Sequence, residues 1–169
     1  MPPGRSMAQP AAQACLNPID NMKKFTSSII GGIAGAVALN ILHQVIKQFD
    51  HEAPRVDLVG EEALSKGLST IGLEPPSGNA LFTATLAADL LSNAAYYSLI
   101  GFGKKKFLPL AGLVAGLTAG IGTLELTAPL GLSDAPVTRT EKTKLLTVAW
   151  YTFGGLVAGT VMSALRKRS

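Results

Sequence analysis

Hydrophobic and polar positions divide the chain into four long apolar stretches separated by short charged or polar segments. The stretches cover residues 25–49, 79–103, 107–132 and 144–165. An α-helix needs about 20 mainly apolar residues to cross the hydrocarbon core of a bilayer. The pattern therefore predicts an all-α protein, an integral membrane bundle of four helices.

The composition favours this interpretation over a soluble all-α bundle. Hydrophobic residues make up 47% of the 169-residue chain and charged residues only 15%, whereas a soluble domain carries about 25% charged residues. Mean hydropathy is positive, at +0.32. The single cysteine, Cys15, excludes a disulfide framework or a cysteine-based metal site within one chain.

The first 22 residues differ from the rest, because they lack an apolar core long enough for a signal peptide. We predict a disordered cytoplasmic tail at residues 1–22 and a single transmembrane domain at residues 23–169.

The loop between the first two stretches is long enough to hold structure of its own. Leu64 and Leu68 recur at helical spacing, Asp57 is suited to the N-cap, and Pro75 would end the helix. We predict a short amphipathic helix in this first outer loop. It would lie on the outer membrane surface or pack across the mouth of the bundle.

The basic residues indicate the orientation of the chain. The net charge of +4 comes from short clusters beside apolar runs, which is typical of positive-inside anchoring, so we expect no nucleic-acid partner. Both termini are predicted to be cytoplasmic, because nine of the fifteen basic residues then lie inside and the other six, outside, are interleaved with acids. The inner nine are Arg5, Lys23, Lys24, Lys104, Lys105, Lys106, Arg166, Lys167 and Arg168.

A weak repeat relates the two halves of the chain. Ala53-Pro54 aligns with Ala135-Pro136 at an offset of 82 residues, which places His43 on Glu125. The repeat, unless it arises by chance, predicts two helical hairpins related by a pseudo-twofold axis along the membrane normal, as in some transporters.

Glycines four residues apart predict where helices approach closely. They either join helices of one chain, which we favour, or form a face for a homo-oligomer or a larger membrane complex. The glycines are Gly31, Gly35, Gly112, Gly116, Gly120, Gly155 and Gly159.

Polar residues inside the apolar stretches predict a site. Asp89, Asn93 and Tyr96 share one helical face, since they are four and three residues apart. Asn40 belongs to the first stretch. An unpaired carboxylate in hydrocarbon costs at least about 2.5–3.5 kcal/mol, so Asp89 should face inward and have partners.

His43 and Glu125 complete the predicted intramembrane polar site. If the repeat holds, the two residues lie at similar depth and Asp89 lies about a turn deeper. We therefore expect Glu125, like Asp89, to face inward. Protonated His43 between the two carboxylates, or a neutral acid bound to Asn93 or Asn40, would satisfy the electrostatics of the site.

Two hypotheses on function follow. In the first, the site binds or conducts protons, a small cation or a small solute, with Asp89 as the central titrating group. In the second, the protein is a non-catalytic structural or assembly subunit of a membrane complex, which packs through its glycine faces. The sequence has no P-loop, H-E-x-x-H or G-x-S-x-G motif, so we expect no enzyme activity, cofactor or metal.

A series of polar and proline positions also carries a resemblance. It starts at His43 and continues as Ala53-Pro54-Arg55-x-Asp57, Glu74-Pro75-Pro76 and Asp89-Leu90-x-Ser92-Asn93-x-x-Tyr96-Tyr97. In these positions the chain resembles a group of small bacterial membrane proteins without an assigned activity, over residues 25 to about 165. The resemblance implies a multi-pass protein of the bacterial inner membrane, with the lipid bilayer as its partner and no catalytic residue.

Overall fold

A computed structural model describes residues 18–167, most of which are helical and none of which is in a strand. The all-α prediction is confirmed. The helices are α1 (Pro18–Ile46), α2 (Val56–Thr70), α3 (Gly78–Ser98), α4 (Leu108–Leu126), α5 (Ala135–Thr138) and α6 (Glu141–Lys167), with short 3₁₀ helices at Leu99–Phe102 and Lys105–Phe107.

The predicted tail is only partly within the described residues. Residues 1–17, with Arg5 and Cys15, lie outside them, as does Arg168. Helix α1 begins at Pro18, so residues 18–22 are helical and do not belong to a disordered tail.

Within residues 18–167, three segments are long and apolar enough to cross a membrane: Asp20–Ile46, Lys105–Leu126 and Glu141–Arg166. Helix α3 has 21 residues but is not among them, because residues such as Asp89 and Asn93 lower its hydropathy. Large apolar side chains are exposed on the outer faces of all four long helices. Examples are Ile33, Ile41, Leu91, Leu110, Val114, Leu117, Leu145 and Phe153.

Helix α6 is the centre of the packing. Helices α1 and α4 both run antiparallel along it, and α3 packs antiparallel along α1. Helices α3 and α4 form the two edges of this layer and contact each other little. The arrangement leaves a gap between α3 and α4.

The glycines predicted to pack helices all lie against another helix of the same chain. A Cβ atom added at Gly35 would lie 2.5 Å from the Gly154 carbonyl oxygen, and one at Gly120 would lie 2.6 Å from Val148 Cα. Gly31 faces Met162 and Ala158. The backbone of α6 likewise blocks Gly112 and Gly116, and the backbone of α4 blocks Gly155 and Gly159.

The predicted pseudo-twofold arrangement of two hairpins is not what the helices adopt. Under such an axis the α1–α6 contact would be repeated between α4 and α3, but α1 packs closely along α6 whereas α3 and α4 are separated. The two Ala-Pro segments nevertheless meet, because the Arg55 N–H donates to the Pro136 carbonyl oxygen at 2.9 Å.

Helix α2 is the short helix expected in the first outer loop, and of the two predicted placements it adopts the one across the mouth of the bundle. Its Val59 is buried. Glu62 accepts hydrogen bonds from Lys66, at 2.7 Å, and from the Ser133 N–H, at 2.8 Å. The bond from Ser133 attaches α2 to the loop that follows α4, whereas Lys66 and Glu62 both belong to α2.

Candidate functional site

A cavity of about 670 Å³ lies beneath α2 and between α3 and α4. Its rim includes Ser92 of α3 with Thr118 and Leu126 of α4, all exposed, so the cavity opens sideways between these two helices. This volume is within the range of sites for small molecules, about 300–1,000 Å³. Its apolar walls include Val59, Phe82, Leu86, Leu126 and Leu130.

Asp89 is the carboxylate on the wall of this cavity. Its Oδ2 accepts a hydrogen bond from Asn40 Nδ2 and its Oδ1 accepts one from Asn93 Nδ2, both at 2.9 Å. Asn40 and Asn93 are each 8% exposed, so the amides are fixed by packing. Amide donors suit an ionised carboxylate, which only accepts hydrogen bonds. No Lys, Arg or His side chain of the described residues forms an ion pair with Asp89.

A second polar cluster lies at the mouth of the cavity, around Asp57 in the first turn of α2. Its carboxylate accepts hydrogen bonds from Lys47 Nζ at 3.1 Å and from Arg55 Nε at 3.0 Å. His43 Nε2 lies 3.9 Å from it and donates to the Pro54 carbonyl oxygen at 3.0 Å. Asp57 therefore binds these neighbours and is not the N-cap that the sequence predicted, a position that Arg55 occupies.

Two opposing effects act on the pKa of Asp57. Burial alone raises this pKa, but the hydrogen bonds from Arg55 and Lys47, together with their charges, hold it below its ordinary value of 3.8. The side chain is only 7% exposed. Asp57 is therefore an ionised, buried partner of two cations.

The closed end of the cavity is formed by tyrosines. Tyr96 was expected to support Asp89, but its hydroxyl donates to the Ala115 carbonyl oxygen at 3.0 Å and so joins α3 to α4. The buried Tyr97 hydroxyl donates to the Tyr151 carbonyl oxygen at 2.8 Å. Tyr96 is the last residue of α3 that lines the cavity, so the cavity ends there.

Glu125 lies away from the polar cavity, although the sequence predicted that it faces inward. It is exposed and does not line the cavity. Glu125 follows Gly120, which faces α6, by five residues, or roughly 140° around the helix. The prediction that Glu125 faces inward is therefore wrong, because this residue lies on another face of α4.

The structure therefore brings together Asp89, Asn40 and Asn93, with His43 and Tyr96 on the same cavity wall. Sequence reasoning missed Asp57 and Thr85 as lining residues. The dense charge between residues 47 and 57 was the available signal for Asp57. Thr85 carried none, although its Oγ1 is the one buried side-chain polar atom of the described residues without a hydrogen-bond partner.

The chemistry of the cavity suits binding more than metal coordination. In the described part of the chain, no three His, Cys, Asp or Glu side chains are grouped closely enough to hold a metal ion. One carboxylate with amide support on a largely apolar wall fits a ligand that carries one positive charge.

Comparison with known proteins gives no match: no protein-family model, curated protein or solved structure matches this chain. The resemblance to small bacterial membrane proteins, which runs from His43 to Tyr97 in the positions given above, stays a prediction.

Proposed function

We propose that the protein is a membrane protein that binds a small amphipathic cation in the cavity lined by Asp89. The observation that carries the proposal is a carboxylate on the wall of a 670 Å³ cavity that has amide donors but no cationic partner among the described residues. A bound cation would supply the missing charge, and the apolar walls would hold its hydrocarbon part. The side opening suits entry from the lipid.

The proposal places α3 in the membrane as a fourth span. The outward side of α3 is apolar along its length, with Ala84, Ala88, Leu91 and Ala95 on that side. Asp89 lies between these positions but lines the cavity. Because Asp89 and Asn93 are turned to the cavity, these two side chains would not meet lipid on the outward side, which would make the helix tolerable in a bilayer.

The proposed orientation, in a bacterial inner membrane, puts both termini in the cytoplasm. At the end of the bundle that holds Lys23, Lys24 and residues 104–106, no lysine forms an ion pair with an acid of the described residues. At the opposite end Lys47 and Lys142 are paired with acids. The orientation itself is favoured by the number of basic residues, because nine of the fifteen Lys and Arg residues belong to the segments placed on the cytoplasmic side.

Of the two activities in the first hypothesis, binding and conduction of a proton, cation or solute, conduction has less support. A conducting path needs polar groups from one side to the other, but the cavity stops near Tyr96 and Tyr97. Beyond them the helices are joined by close contacts such as those of Gly31 and Gly32. A dead-end cavity supports binding.

The alternative of a structural subunit loses its main support. It rested on glycine faces that would pack against other chains, and these glycines are in contact within this chain. A helix of another chain would need a different surface.

The test is the binding of tetraphenylphosphonium, a lipophilic cation, to the detergent-purified protein, measured by equilibrium dialysis. We expect Asp89→Asn to weaken binding about tenfold or more, because the ligand loses its counter-charge. Triphenylphosphine oxide, uncharged and similar in shape, should not distinguish the variant from the wild type.

Glu125→Gln is the matched control, since it removes a carboxylate that lies outside the cavity. It should bind the cation like the wild type, and thermal melting of each sample reports whether it is folded. Equal cation binding by the wild type and a folded Asp89→Asn variant would show that Asp89 is a packing residue and would overturn the proposal.

A further inference from the structure

A second groove lies at the end of the bundle where α1 begins and α6 ends. Its volume is about 1130 Å³, and it runs between the first turns of α1 and the 3₁₀ segments at residues 99–107. It shares no residue with the Asp89 cavity. The groove is therefore a separate feature of the fold.

The groove is strongly basic. Five cationic side chains line it, against the single carboxylate of Asp20; they are Lys23, Lys24, Lys104, Lys105 and Arg166. None of the five forms an ion pair with an acidic side chain of residues 20–166. Like charges brought together without a counter-ion repel one another, so the groove is suited to a ligand with negative charge.

At the opposite end of the bundle, by contrast, basic side chains do have acidic partners. There, five of the six basic residues are paired with acids, and Arg139 binds the His51 carbonyl oxygen. Lys142, for example, lies 2.9 Å from Asp50 and 3.2 Å from Glu52. The hydrogen bond from the Lys142 ammonium holds the pKa of Asp50 below its usual value.

Arg166 lines the groove and is held in one position by hydrogen bonds. Its guanidinium donates to the Gly101 carbonyl oxygen at 2.6 Å and to Ser27 Oγ at 2.9 Å. These contacts join α6 to α1 and to the 3₁₀ segment without neutralising the charge. The positive charge of Arg166 is thus held in place beneath the lysines.

Apolar side chains continue the groove along the side of the bundle. Phe25 is 67% exposed and Phe102 is 88% exposed, and Ile29 and Leu99 also line the groove and are exposed. A soluble anion would leave these side chains unused. A ligand with a phosphate group and hydrocarbon chains would contact both parts.

We propose that this groove binds the headgroup of an anionic phospholipid, with its phosphate among Lys23, Lys24, Lys104 and Lys105 and its acyl chains along Phe25 and Phe102. The inference rests on the membrane setting given under the proposed function but not on ligand binding at Asp89. Basic pockets between helices at the cytoplasmic surface are suited to such headgroups.

The test is native mass spectrometry of the purified full-length protein with added phosphatidylglycerol or phosphatidylcholine. We expect the wild type to retain phosphatidylglycerol in preference to phosphatidylcholine. The double variant Lys104→Gln/Lys105→Gln should lose about tenfold or more in affinity for phosphatidylglycerol, because each lysine near the headgroup contributes attraction. Lys104→Arg/Lys105→Arg should restore the affinity.

Lys142→Gln/Lys144→Gln is the matched control at the opposite end, and it should bind phosphatidylglycerol like the wild type. Equal loss in this control, or equal retention of phosphatidylcholine by the wild type, would overturn the proposal. Displacement of the lipid by excess inorganic phosphate would also overturn it, since the groove would then recognise free phosphate. The Asp89→Asn variant should bind phosphatidylglycerol like the wild type. Its lipid binding therefore tests the groove independently of cation binding in the Asp89 cavity.

Discussion

Replacing Gly112 by alanine is expected to lower the free energy of unfolding by about 3 kcal/mol, the upper part of the usual range for overpacking. A Cβ atom at this position would collide with the Gly155 carbonyl oxygen and lie 3.0 Å from its carbonyl carbon. The obstacle is backbone of α6, which cannot change rotamer, so α4 and α6 must separate. Thermal melting in detergent, followed by circular dichroism, measures the loss.

The control for this prediction is Gly122→Ala in the same helix. A Cβ atom at Gly122 meets only Leu126 Cδ1, at 3.8 Å, an ordinary van der Waals distance. Its melting temperature should equal or exceed that of the wild type, since alanine is the better helix former. If the two variants have the same melting temperature, the close approach of α4 and α6 is not what stabilises the bundle.

Replacing Asp57 by asparagine is expected to destabilise the protein by about 3 kcal/mol at neutral pH. The change leaves the charges of Lys47 and Arg55 without their carboxylate, and removing one partner of a buried pair is costly. Lys47 is 17% exposed, so water compensates little there. Asp50→Asn is the control, because its partner Lys142 is 50% exposed and water and salt screen such a surface pair, so its loss should change the melting temperature little.

The stabilisation that Asp57 contributes should be lost as the pH falls. The folded-state pKa lies below the ordinary value of 3.8, so the ionised carboxylate stabilises the fold fully above pH 3.8 and loses this contribution as the pH falls through the folded-state pKa. Melting curves of the wild type and of Asp57→Asn should therefore converge below pH 3.8 and stay apart between pH 5 and pH 8. If the two melting temperatures differ by the same amount across the whole pH range, the charge of Asp57 is not what stabilises the fold.

The sequence was informative wherever a property depends on neighbours along one helix. Asp89 and Asn93 are four residues apart, and this spacing alone places them on one face, where Asn93 donates to Asp89. The same holds for the glycines, whose spacing makes a flat strip on the helix. In both cases the local geometry of the α-helix fixes the outcome.

Predictions from the sequence were wrong where the outcome depends on how a helix is rotated about its axis relative to its neighbours. The repeat aligned Glu125 with His43, yet Glu125 is exposed while His43 is only 6% exposed. The face that α4 turns inward is set by its glycine contacts with α6. Depth follows from the position of a residue in the sequence, but inward direction follows from packing.

Long-range partners were equally hidden. Asp57 is ten residues from Lys47, and the loop at residues 47–55 brings them together only when α2 folds across the bundle. Tyr96 was assigned to Asp89 because they share a helix face, but the Ala115 carbonyl oxygen of α4 takes its hydrogen bond. Such pairings depend on which helices become neighbours.

The sequence by itself determined that the chain is all-α and has long apolar helices, because hydrophobic length and composition are properties of each segment alone. Only the tertiary structure decided that α6 lies at the centre, that α3 and α4 stand apart, and that a cavity with Asp89 on its wall lies between them. The physical reason is that several helices carry similar small-residue strips, so many pairings are compatible with the spacing. The simultaneous fit of Gly112 against Gly155 and of Gly35 against Gly154 selects one of them.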